Sequence, residues 1–277
     1  MSEFVVVPGA RVRVCDEGDP TRKALVLLHG FCGSVHWFER MTPLLIDQYR
    51  VVRIDLAGHG LTRSRGSFDP DAQARLVESV LARLEVNSAV AVGHSMGADI
   101  AIELSRVSDR VSELVVIGQA PDYSYANLPK VDALFTLPFV AQAVHRMAPA
   151  VAVRQALRAG FARGFPMERG FDDPRQAMLD HALTNPGVYR VVSGDRRKAL
   201  AARPLDRRIR ESGLPTLVIH GAADQMYDCA KTAARYRDAG AMVRIVEGAG
   251  HSPNVEKPAE TVAAIREFLA ERQAAGA

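Results

Sequence analysis

A chain of 277 residues, 48% hydrophobic and 24% charged, has the composition of a folded globular protein and the length for one large core with an insertion. Its net charge of +3 is too small to single out a nucleic-acid partner, and three scattered cysteines (Cys15, Cys32, Cys229) make neither a disulfide framework nor a metal-ligand spacing. No apolar run reaches the ~18 residues of a membrane span, and Met1-Ser2-Glu3-Phe4 lacks a basic region leading into an apolar run, so the expectation is a soluble cytoplasmic protein.

Residues 4–7 and 11–15 are short β-type runs around the turn dipeptide Pro8-Gly9 and predict an opening antiparallel pair. Residues 24–28 are continuously apolar, as in a strand covered on both faces of a parallel sheet. They end in His29-Gly30-Phe31-Cys32-Gly33-Ser34, after which Trp37, Met41, Leu44 and Leu45 predict a helix over 35–47. A strand over 50–56 closes on Ala57-Gly58-His59-Gly60. Asp69 as N-cap and Pro70 at the first helical position open a helix whose apolar face is Ala72, Leu76, Val80, Leu81 and Leu84. The run Val90-Ala91-Val92 then stops at Gly93, and Ser95 stands between glycines in Gly93-His94-Ser95-Met96-Gly97. Ala98, Ile100, Ala101, Ile102 and Leu104 continue at once as a helix, and residues 113–118 read as a further strand.

Alternating strand and helix predicts an α/β fold, a parallel sheet with helices on both faces. The rhythm stops after Ala120. Between 121 and 212 there is no convincing strand, and helices are predicted over 134–147, 151–162, 174–183 (capped by Asp173) and 186–201 (capped by Asn185). Strand 215–220, a helix near 230–238, strand 242–247 and helix 258–270 restore the alternation. The expected organisation is a core of 1–120 and 213–277 with a helical cap, 121–212, inserted into it.

A serine on a sharp strand-to-helix turn is presented at the carboxyl end of the sheet. It becomes a nucleophile only if a base takes its proton and a third group orients that base. Of eight histidines, His29, His59 and His94 sit in glycine turns, His220 ends a strand, and His36, His145 and His181 lie in predicted helices. His251 differs. It follows Gly248-Ala249-Gly250 in the loop between the last strand and the last helix, which opens at the same sheet edge as Ser95, and is the candidate base. The candidate acid is Asp224, in the loop after strand 215–220; Asp122, after strand 113–118, reaches the same edge and stays open, while Asp228 reads as a helix cap. Backbone N–H groups of Phe31 and Met96 are the candidate oxyanion donors, one from the turn after strand 24–28 and one from the start of the elbow helix.

With these residues in order the chain resembles the α/β-hydrolase superfamily, single-domain type with a helical cap. Gly93-His94-Ser95-Met96-Gly97 resembles its nucleophile elbow, Leu28-His29-Gly30-Phe31 its oxyanion strand, and Asp55-Leu56-Ala57-Gly58-His59-Gly60 its Asp-x-x-Gly-x-Gly turn. His220-Gly221-Ala222-Ala223-Asp224 resembles the acid loop and Gly248-Ala249-Gly250-His251 the histidine loop. The resemblance covers the chain outside the cap and implies a mostly parallel eight-stranded sheet, no cofactor and no metal. It leaves the substrate open, since the fold carries esterases, lactonases, thioesterases, amidases, C–C bond hydrolases, lyases and a few hormone receptors. Dehalogenase and epoxide-hydrolase chemistry is set aside because Ser95 occupies the place of their aspartate.

The expected reaction is hydrolysis of a small to medium, largely apolar carboxylic ester or lactone. Cys32, Trp37, Gln119 and Phe139 are candidate substrate contacts. The segment 121–211 carries 15 Lys+Arg against 9 Asp+Glu, a net +6, which either attracts an anionic or carrier-bound acyl substrate or lies on solvated helix faces. Asp99, early in the elbow helix, either favours the helix N-terminus or faces the cap.

Overall fold

The computed structural model describes residues 2–127, 137 and 139–276. Its strands are β1 (Ser2–Val7), β2 (Ala10–Glu17), β3 (Ala24–Leu28), β4 (Arg50–Ile54), β5 (Arg63–Ser64), β6 (Ala89–His94), β7 (Val111–Ile117), β8 (Thr216–Gly221) and β9 (Met242–Val246). They form one nine-stranded sheet ordered β1-β2-β4-β3-β6-β7-β8-β9, with β5 pairing β2. β2 runs antiparallel to β1, β4 and β5, and every pairing from β4 to β9 is parallel. The ninth strand, β5, is only two residues long and gives no period-two pattern to read.

Alternate residues of the central strands feed two cores. Val26 and Leu28 of β3, with Ala89 and Ala91 of β6, face one layer; Leu25, Leu27, Val90 and Val92 face the other. The first layer is covered by α1 (Pro70–Arg83) and α2 (Met96–Val107), the second by Phe38, Met41 and the helix that ends the chain, Pro258–Gly276. Asp69 caps α1 as expected, its carboxylate accepting from the Ala72 N–H at 2.9 Å.

The helix expected over 35–47 is instead two short 3-10 turns, Val35–Phe38 and Thr42–Leu44. Pro43 has no N–H to donate and its ring opposes the carbonyl four residues back, so one continuous α-helix cannot form there.

Between β7 and β8 lie α3 (Val140–Met147), α4 (Ala150–Arg158), α5 (Gln176–Leu183), α6 (Gly187–Arg190), α7 (Arg196–Ala202) and α8 (Leu205–Ser212), without a strand among the described residues. The first part of the helix expected over 134–147 lies outside the described residues. The helix expected over 186–201 is broken by a π turn, Val191–Asp195, after which Arg196 is buried. Asn185 and Asp173 cap turns rather than helices, accepting from Gly187 and Arg175 two residues on. α8 lacks an obvious sequence signal because Leu205 and Ile209 are its only large apolar residues; both nevertheless join the core beside α2. Leu205 N–H donates to the Pro121 carbonyl at 2.9 Å, so the two ends of the insertion meet. After β8, α9 (Cys229–Asp238), the short α10 (Pro253–Glu256) and α11 (Pro258–Gly276) complete the chain.

Candidate active site

Ser95 joins β6 to α2 at φ +51°, a conformation rare for a residue with a Cβ. The turn is tight enough to require its flanking glycines. A Cβ at Gly93 would lie 2.2 Å from the Gly97 carbonyl oxygen, and one at Gly97 would lie 2.2 Å from that of Leu28.

Ser95 Oγ lies 2.9 Å from His251 Nε2, and His251 Nδ1 lies 3.0 Å from Asp224 Oδ2. An ionised carboxylate only accepts, so Nδ1 carries the proton and Nε2 is left to accept from the serine hydroxyl. The Asp224 side chain is fully buried; its other oxygen accepts from the N–H of Met226 at 2.7 Å and of Tyr227 at 3.4 Å. His220 Nε2 also lies 3.1 Å from Oδ2, off the line of a hydrogen bond. Burial opposes the charge on Asp224, but His251 and His220 outweigh it and hold the carboxyl well below the usual range. The other aspartate the sequence left open, Asp122, is 2.7 Å from Arg235 and accepts from Ser124, away from His251.

The N–H groups of Phe31 and Met96 have no protein acceptor among the described residues. Met96 begins α2, where backbone donors lack intrahelical partners and the helix dipole favours negative charge. Phe31 sits in a turn closed by the Gly33 N–H donating to Gly30 O at 3.1 Å.

The turn histidines pack as their setting implied. His29 Nε2 accepts from Leu56 N–H, His59 Nδ1 faces Ala57 O, and His94 Nε2 donates to the His251 carbonyl. Burial lowers them to about 4, 3 and 3, so all three are neutral at pH 7.

The candidate substrate contacts divide. Cys32 is buried with its thiol pushed up to about 12 by burial, and its Sγ is 3.9 Å from Tyr189 Oη. Trp37 is buried, stacked between His94 and Phe161, and its indole N–H donates to Asp180 at 3.0 Å; cap-to-core packing uses both faces of the ring. Gln119 is buried with its amide donating to Ala120 O at 2.7 Å, and its Oε1 has no partner among the described residues. Phe139 is 82% exposed at the head of α3, with a φ of +67°, and lines an open cavity instead of being buried against the core.

Sequence reasoning missed the groups that hold the loops. Glu256 Oε1 accepts from the N–H of Gly250 (2.9 Å) and Ser252 (3.2 Å), on either side of His251, while Oε2 accepts from Ala162 at 2.8 Å. Ser252 Oγ donates to Gly160 O and Gln225 Nε2 to Phe161 O, both at 2.7 Å. The segment 160–162 therefore straps the loops that carry Asp224 and His251. A carboxylate folding back on backbone leaves no spacing signal, so Glu256 had none to find. Asp99 faces the helical segment between β7 and β8: Arg196 grips it through two hydrogen bonds, 2.5 and 2.9 Å, with both side chains 3% exposed or less. Among the described residues no cluster of three or more His, Cys, Asp or Glu is arranged to hold a metal ion, and no helix is long and apolar enough to cross a membrane.

The model of the alpha/beta hydrolase family matches residues 25–265, nearly the whole chain. The chain belongs to the alpha/beta hydrolase family. As a member it is a hydrolase, with the family's mostly parallel sheet. Among its relatives is the dihydrolipoyllysine-residue acetyltransferase component of the acetoin cleaving system of Cupriavidus necator, 29% identical over 96% of this chain and 68% of that protein. Esterase YbfF of Escherichia coli is 24% identical over 88% of this chain and 92% of its own. Among solved structures, a thermophilic esterase from Thermogutta terrifontis superposes with a TM-score of 0.78 at 23% identity, covering 98% of each chain.

Proposed function

We propose that this alpha/beta hydrolase is a serine hydrolase that cleaves a small to medium, largely apolar carboxylic ester or lactone. The observation that carries the reading is the unbroken chain from Ser95 Oγ to His251 (2.9 Å) to Asp224 (3.0 Å), on a serine held at positive φ. His251 Nε2 takes the hydroxyl proton as Oγ bonds to the carbonyl carbon. The resulting oxyanion receives the N–H groups of Phe31 and Met96. His251 gives its proton to the leaving alkoxide, which departs as the alcohol or, in a lactone, stays on the opened chain. Water then attacks the acyl-enzyme with His251 again as base, releasing the acid and restoring Ser95. Asp224 stays ionised throughout, holds the imidazole in its working tautomer and stabilises the imidazolium. The insertion 121–212 acts as the cap over this site, with the apolar faces of its helices bounding the substrate space. The esterases among the similar proteins support ester chemistry.

A fluorophosphonate probe labels Ser95, and Ser95→Ala loses p-nitrophenyl butyrate turnover by about 10^4-fold or more. Asp224→Asn loses roughly 10^4-fold, because the amide favours the wrong imidazole tautomer, whereas Asp122→Asn stays near wild type. Labelling elsewhere, or full turnover in Ser95→Ala, refutes the nucleophile; loss confined to Asp122→Asn moves the acid.

A further inference from the structure

The cap encloses an open cavity of about 930 Å³, within the range that binds small molecules. Leu137, Phe139, Val153 and Met178 make its apolar walls. Arg146 and Arg190 also line it, and no Asp or Glu does among the described residues. Of the other arginines between β7 and β8, Arg154 and Arg158 share Glu168, Arg196 pairs with Asp99 and Arg207 with Glu211, while Arg163 and Arg169, which do not line the cavity, meet no carboxylate among the described residues either. Arg146 and Arg190 meet no carboxylate among the described residues. Of the two histidines on the wall, burial lowers His181 to about 4, so it is neutral at pH 7.

The cavity wall is shared with the candidate oxyanion turn. Tyr189 Oη lies 3.0 Å from His181 Nε2 and 3.3 Å from His145 Nδ1, both wall residues. The same ring meets Phe31 edge-on, centroids 4.7 Å apart. Cys32, the neighbour of Phe31, has its Sγ 3.9 Å from the Oη of the same tyrosine.

We propose that this cavity is the specificity chamber for an ester whose apolar chain ends in an anionic group, carboxylate or equivalent, with Arg146 and Arg190 as the anion contacts. The proposal rests on Ser95 acting as the nucleophile, with the chain of the bound ester extending past Tyr189 into the cavity. Apolar walls hold the methylene chain, and two cations that meet no carboxylate among the described residues hold its end.

The test compares 4-nitrophenyl octanoate with mono-(4-nitrophenyl) suberate, which has the same chain length but ends in a carboxylate. In the Arg146→Gln/Arg190→Gln variant, kcat/KM for the suberate ester falls about tenfold through KM, the size expected for partly exposed ion contacts. Turnover of the octanoate ester stays within about twofold. Equal losses on both esters, or no change on either, overturn the anionic chamber; Ser95-dependent hydrolysis of the octanoate then leaves the hydrolase reading standing. If neither ester is cleaved, the hydrolase reading fails, and calorimetric titration with monoethyl suberate tests the chamber alone. Heat that disappears in the double variant supports it, and no heat with wild type refutes it.

Discussion

His251 is held from three sides. Asp224 accepts the hydrogen bond from its Nδ1–H, His94 bonds its carbonyl, and Glu256 collects the backbone N–H groups on either side of it. Burial raises the pKa of Glu256 while those same N–H groups lower it, so the carboxylate is the anchor of a small backbone nest. Both oxygens of Glu256 are taken up by backbone N–H groups, so the role proposed for it is positioning. In Glu256→Gln the new amide N–H group confronts the Ala162 N–H, and the loop shifts. The expected outcome is a kcat about tenfold lower at nearly unchanged KM, with the rate of fluorophosphonate labelling falling in parallel, since small misplacements of a base are costly. A Tm drop with normal kcat would mean that Glu256 only stabilises the fold. At this scale Ser95, Asp224 and His251 were legible because each lies in a short glycine-marked loop at a known place in the strand order. Glu256, Ser252 and Gln225 were not, because what each side chain bonds depends on how the cap segment 160–162 lies against it.

Between elements, the buried pair of Asp99 on α2 and Arg196 on α7 ties the cap to the helix that carries the proposed nucleophile. Tyr123 shares the same guanidinium, accepting from its Nη1. Removing one partner strands a buried charge, so Arg196→Met costs about 3 kcal/mol in urea unfolding. Asp99→Leu combined with Arg196→Met recovers most of that, because an apolar pair of similar volume needs no solvation. A double variant as unstable as Arg196→Met would show that the pair's hydrogen bonds to Tyr123, not the stranded charge, dominate. The sequence left Asp99 with two readings because helix position explains an early acid equally well. The π turn at Val191–Asp195, which precedes Arg196, was invisible as well: the segment Pro186 to Ala201 has the composition of one continuous helix.

Across the whole molecule, the cap also docks through Asp180, whose carboxylate accepts from the Trp37 indole and from Gln176 at 3.0 and 2.7 Å. Burial pushes this acid up to about 6, against hydrogen bonds from Ser34 and Gln176 that lower it. An acid raised in the folded state favours folding while protonated: its contribution is complete below the ordinary value of 3.8 and is lost as pH rises through about 6. Asp180→Asn removes that loss, so its stability relative to wild type grows on the order of 2 kcal/mol between pH 4 and 7.5. Thermal melts at the two pH values check this; a pH-independent difference would mean that Asp180 titrates normally.

The sequence by itself determined the parallel α/β core, the helical run between β7 and β8, and the loops carrying Ser95, Asp224 and His251. Each of these follows from local periodicity and from turns whose glycines are required by close backbone approach. Only the tertiary structure decided that Asp99 pairs with Arg196, that Trp37 is absorbed in packing, that Phe139 stands exposed, and that Arg146 and Arg190 line a cavity to which no described residue contributes an acid. Those outcomes depend on which distant side chains share a space. Charge pairing and burial are properties of that shared space, and residue type and spacing along the chain do not encode them.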